Sequence, residues 1–201
     1  AVLMNDGLLF KFFREHGYKV VTFATGLNFI DINSADYHLS PNGIPDFFTN
    51  ELINNTFLAL FYWKQQYLWN NLRIQYTINE LGGLSEMEDP IFVYAHILLP
   101  HPPFVYQGDG EVKIPAKKFD YRDNSAFTML DEREVYIEGY RNQAEYAAAQ
   151  VIKIVTEIHE KSPDAIIIVQ GDHGPGAYYE QEDPESSNLD EKAHILNAYY
   201  F

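Results

Sequence analysis

The sequence predicts an α/β fold built around a largely parallel sheet. Three observations carry that expectation. A short amphipathic segment, a glycine and a β-rich segment follow one another over residues 6–25, which is half of an α/β unit. Ile91–Leu99 is a near-continuous apolar run broken only by His96, a pattern that suits a strand buried on both faces of a parallel sheet. A second such run, Ala165–Gln170, follows a long helical segment.

The elements follow in chain order. Leu8, Leu9, Phe12 and Phe13 recur at helical spacing and Gly17 follows, so a helix is expected over residues 6–16 with Gly17 at the C′ position. Tyr18–Thr25 reads as a strand and residues 26–45 as loop. Pro45–Asn55 and Thr56–Ile78 read as helical, the latter on the spacing of Phe57, Leu58, Phe61, Leu68, Leu72 and Tyr76. Gly82-Gly83 closes that region. Residues 100–128, rich in Pro, Gly, Asp and Lys, read as a long excursion of the kind that often carries function. Leu130–Lys161 is the strongest helix. Its expected core stripe is Val135, Tyr136, Tyr140, Gln143, Tyr146, Ala147, Val151, Ile154, Val155 and Ile158, and Ser162-Pro163 ends it. Residues 178–192 read as an acidic loop and His194–Tyr200 as a last strand. No internal repeat is visible.

Composition narrows the function. The 201 residues carry 14 Lys+Arg against 29 Asp+Glu, a formal net charge of -15. That balance opposes nonspecific binding to nucleic acid or to anionic membranes. The chain has no cysteine, which removes disulfides, thiol catalysis and Cys-containing zinc sites. No apolar run approaches the roughly 18 residues of a membrane span, and no signal peptide is visible. The chain opens in mid-stride and stops in an apolar run. Both ends read as cuts, so residues 1–201 are expected to be one partial domain.

The chemistry concentrates in two stretches. Ile166–Gly174, IIIVQGDHG, delivers Asp172 and His173 just past the carboxyl end of a strand, where open α/β sheets bind ligands. Carboxylate and imidazole are common ligands for Zn and Mn. Adjacent side chains diverge, so the pair need not chelate one ion. The alternative is an Asp that caps a turn beside a His that is only polar. The second stretch is His96–Phe104, HILLPHPPF. Three prolines around His101 restrict its backbone, and a preorganised His suits an anionic oxygen or a leaving group. His96, inside the expected strand, reads as a hydrogen-bonded core histidine before a functional one. His194 opens the last strand and could approach the site. His16, His38 and His159 are assigned to solvated surface. There is no Gly-rich phosphate loop, GxSxG elbow or HExxH motif, and no evident nucleophile.

With the segments Phe10–Thr25, Tyr136–Tyr146 (YIEGYRNQAEY) and Ile195–Phe201 (ILNAYYF), these stretches resemble the sulfatase-like branch of the alkaline phosphatase superfamily. The resemblance is close to the bacterial membrane-anchored sulfatase-like proteins, relatives of lipoteichoic acid synthase and phosphoethanolamine transferases. It implies a three-layer α/β/α sandwich, here incomplete. It implies a metal-dependent hydrolase or transferase acting on phosphate or sulfate esters, with Asp172 and His173 as metal ligands and His101 contacting the substrate. The divalent metal could be Mn, Zn, Mg or Ca. In that family the nucleophile and first acidic ligand precede the region matched here, so the chain is expected to lack the nucleophile and to be inactive alone. A membrane would be met only through a preceding N-terminal region, with the catalytic domain outside the cytoplasm. The competing expectation is a degenerate, non-catalytic binding or scaffolding module of the same fold. Sulfate or phosphate, hydrolase or transferase, and oligomeric state stay open.

Overall fold

In a computed structural model of the chain, residues 7–116, 119, 130–179, 183 and 185–201 are described. Residue 6 of the first expected helix, and parts of the 100–128 and 178–192 segments, fall outside them. The chain divides into two compact units, Ala1–Leu98 and Leu99–Phe201.

The first unit holds α1 (Leu8–Glu15), β1 (Lys19–Phe23), β2 (Tyr37–Leu39), α2 (Phe47–Asn54), α3 (Ala59–Leu81), a 3-10 turn at Gly82–Glu86, and β3 (Ile91–Tyr94). Gly17 ends α1 at φ +84°, a left-handed conformation that costs glycine little. The three strands form a parallel sheet in the order β2-β1-β3. Central β1 is buried, with Val20 and Val21 fully enclosed. Phe10 of α1, Val20 and Ile32 make a core against which Phe92 and Tyr94 of β3 pack, and Phe13 stacks on Phe92 at 4.0 Å. Parallel pairing through a helical crossover is the α/β architecture expected, and the helices with this sheet are those of an α/β sandwich.

Five expectations change in this unit, the fifth being the burial of α3. β3 stops at Tyr94 rather than Leu99, because its last partner is Thr22 of β1 and β1 itself ends at Phe23. His96 therefore lies beyond the strand, not inside it. β2 forms within the expected loop, pairing Val21 with Tyr37 and Phe23 with Leu39. That places His38 half-buried, its Nδ1 2.9 Å from Thr22 Oγ1, rather than on solvated surface.

Helix α3 is turned over relative to its sequence pattern. Phe57 ahead of it, with Phe61 and Leu72 on it, are exposed, while Gln66, Asn70, Arg73 and Thr77 are buried alongside Tyr67, Ile74 and Ile78. Partners make most of this burial tolerable, although Gln66 Oε1 has none among the described residues. Gln66 donates to Asn54 Oδ1, Arg73 to Pro45 O at 2.8 Å, and the Thr77 hydroxyl to Arg73 O at 3.0 Å. Arg73 also lies beside Gly26 (φ +85°), where an added Cβ would sit 2.8 Å from the guanidinium carbon.

The second unit holds α4 (Leu130–Lys161), β4 (Ile167–Gln170), α5 (Leu189–Ala193) and β5 (Asn197–Tyr200). The 32-residue α4 matches the expected bounds, and its buried side includes Tyr136, Gln143, Tyr146 and Ile154, whereas Val135 faces out. β4 and β5 pair antiparallel, Ile167 opposite Tyr200 and Gln170 opposite Asn197. Nor is β4 buried throughout: Ile166 just before it and Ile168 within it are exposed while Ile167 and Val169 are half-buried. A short apolar run looks the same in either setting, because composition does not report alternation. Ahead of α4, Tyr106 bridges Val112 across a turn held by Gly110 at φ +88°.

Candidate functional site

At the end of β4 the chain stays registered to the β5 side through Gly171 N–H donating to Leu196 O at 2.9 Å. Asp172 and His173 follow at once. Asp172 Oδ1 accepts the His173 backbone N–H at 2.9 Å, and the other oxygen, Oδ2, lies 3.9 Å from His173 Nε2. His173 Nδ1 is 2.8 Å from Gly174 O. A carbonyl only accepts, so Nδ1 carries the proton and Nε2 of the neutral ring keeps its lone pair. A carboxylate oxygen and the second imidazole nitrogen thus lie 3.9 Å apart on two exposed side chains. The adjacent side chains converge instead of diverging.

The loop carrying them is fastened on two sides. Gly174 N–H donates to Lys192 O at 2.8 Å, and a Cβ on Gly174 would collide with Glu191 O and sit 2.7 Å from His194 O, so only glycine fits. Further on, Gly176 N–H donates to the Tyr136 hydroxyl at 3.0 Å, and Ala177 is buried against the Tyr136 ring. His194 meets this loop by its backbone. Its side chain turns back, Nδ1 2.6 Å from Asp190 O.

His101 is half-buried, with Nδ1 2.6 Å from Pro102 O. The same reasoning leaves its Nε2 free to accept, or to donate once protonated. Its segment is held by Gln143 of α4. Gln143 Nε2 donates to His101 O at 2.7 Å, and Gln143 Oε1 accepts from Val105 N–H at 2.9 Å and Tyr106 N–H at 3.3 Å. Phe104 meets the Tyr136 ring edge-on at 5.1 Å and lies over Gly139, where a Cβ would be 2.7 Å from Phe104 Cγ. His96 belongs to the other unit.

Sequence reasoning placed Tyr136 and Gln143 in the core stripe of α4 and saw no further role for them. A glutamine among tyrosines and aliphatics is the one signal that was available, since a buried amide must find partners. Among the described residues, no group of three or more His, Asp or Glu gathers at one point.

The parallel three-stranded sheet with its helices in the first unit, and the helix-strand succession α4-β4 in the second, define a class: α/β proteins. The chain belongs to the Sulfatase family, whose family model matches residues 5–197. No curated protein matches it. The family comprises sulfatase-like hydrolases and transferases acting on ester substrates, in general with a metal.

Proposed function

We propose that the chain is the part of a sulfatase-like enzyme that holds a divalent cation through Asp172 and His173 and meets the anionic head of a sulfate or phosphate ester with His101. The observation that carries this reading is the facing pair, Asp172 Oδ2 and His173 Nε2 at 3.9 Å, with the histidine tautomer set by Gly174 O. An imidazole plus a carboxylate suits Mn or Zn better than Ca, which favours oxygen ligands throughout. A cation there would neutralise charge on the transferring group and lower the pKa of an attacking hydroxyl. His101 Nε2, half-buried and held, binds or protonates an ester oxygen.

Two protein donors are few for a tight site, so Mn binding to this chain is expected to be weak. The resemblance to membrane-anchored relatives also supports action outside the cytoplasm; among the described residues no helix is long and apolar enough to cross a membrane. Calorimetric titration with Mn tests the pair. Asp172→Asn should weaken binding about 10-fold or more, a typical ligand or ligand-support effect, with the fold unchanged by circular dichroism. Equal Mn binding by both chains would remove the metal reading. A cation bound without any turnover of aryl sulfate or aryl phosphate by the chain in its native protein would favour a binding module instead.

A further inference from the structure

Helix α4 presents one face to both candidate segments. Tyr136, Tyr140 and Gln143 recur at helical spacing along it, and Tyr136 and Gln143 stand about 10 Å apart along the axis. Gln143 is 1% exposed, and all three hydrogen bonds described for its amide run to the His101–Tyr106 segment. An amide donates at one end and accepts at the other, so it can hold the His101 carbonyl and the Val105 and Tyr106 N–H groups together. Tyr136 works on both sides. Its hydroxyl takes Gly176 N–H from the Asp172–His173 loop, and its ring packs on Phe104 from the His101 segment. Gly139 has no Cβ, which lets Phe104 lie against the helix.

From this geometry we infer that Gln143 and Tyr136 are positioning residues: α4 sets the His101 imidazole in register with the Asp172–His173 pair, Gln143 from one end and Tyr136 from the other. The inference rests on the reading of His101 as the substrate-contacting histidine. Neither residue touches substrate. Each acts by fixing backbone whose side chains do.

The test uses the full chain, with Mn and inorganic phosphate as probes and NMR as readout. Gln143→Leu should raise hydrogen exchange at the Val105 and Tyr106 amides about 10-fold or more. It should weaken the phosphate-induced shift of the His101 ring about 10-fold, while Mn affinity stays within about twofold. Gln143→Glu keeps the acceptor but loses the donor to His101 O. It should leave the two amides protected and still weaken the His101 response, which separates registration from global unfolding. Tyr136→Phe keeps the ring on Phe104 and loses the bond to Gly176, so it should lower Mn affinity and leave Val105 exchange unchanged. Unchanged exchange in Gln143→Leu overturns the inference, and so does raised exchange with an undiminished His101 response. A wild-type His101 ring that ignores phosphate, with Val105 and Tyr106 fully protected, overturns the functional reading and with it the purpose of the clamp, a result distinct from failure of the clamp itself.

Discussion

At the scale of single residues, side-chain oxygens do much of the local ordering. Asp36 precedes β2 and accepts the Val20 N–H of β1 at 2.9 Å and Arg14 Nε at 3.0 Å. The Val20 hydrogen bond, with Arg14 and Lys19 nearby, holds its carboxyl below the ordinary value. The sign of the pH effect follows. A carboxylate with a depressed folded pKa stabilises the fold above its unfolded value of about 3.9, and that contribution disappears as pH falls through the folded value. Asp36→Asn should therefore cost roughly 1 kcal/mol at pH 7, discounted because the pair is partly exposed. The gap to wild type should close as denaturant melts move below about pH 4. A gap of constant size down to the acid limit would mean that the charge of Asp36 contributes nothing. Thr25 works similarly after β1, its N–H and hydroxyl both donating to Asp31 Oδ1 at 2.7 and 2.6 Å.

Elements show where pattern and fold part company. Gly26→Ala is expected to destabilise by about 1–3 kcal/mol, because the position needs φ +85° and its Cβ would meet the Arg73 guanidinium. Gly17→Ala meets open space and should show the backbone term alone; equal losses for the two in thermal melts would show that Arg73 does not press on Gly26. The α1-Gly17-β1 unit and the bounds of α4 were legible because amphipathic period and a left-handed glycine are local properties. So was the strand β4, which ends at Gln170 just ahead of Asp172-His173. The orientation of α3 was not. Phe57, Phe61 and Leu72 predict a buried stripe, yet the opposite face is enclosed because Asn54 and Pro45 O supply partners for Gln66 and Arg73. Tertiary satisfaction of polar groups is invisible to periodicity. β2 was missed because three residues, Tyr37–Leu39, are too few to show alternation. The antiparallel β4–β5 pairing was missed because strand direction is decided by the connection. For the candidate site, sequence singled out Asp172, His173 and His101 but not the hydrogen bonds that hold their segments, from the His173 ring to Gly174 O, from Gly176 to Tyr136 and from the Gln143 amide.

For the whole molecule, charge is the governing quantity. A net charge of -15 repels a sulfate or phosphate ester over distances longer than any contact in the site. The Debye length shrinks from about 30 Å at 0.01 M salt to about 8 Å at 0.15 M. Raising salt across that range should screen the long-range repulsion and leave short contacts at His101 and the Asp172–His173 pair less affected. The expected result is tighter binding of inorganic phosphate, by a few-fold, from low to physiological ionic strength in the presence of Mn. This is the reverse of the trend at a basic anion-binding surface. Chelating the metal should then remove most phosphate binding at every salt concentration, since the proposed cation would supply the main local charge that offsets the repulsion. Phosphate affinity that falls with salt, or survives chelation, would place the anion at a cationic surface elsewhere on the chain. It would also leave the facing carboxylate and imidazole at the end of β4 without a role in holding it.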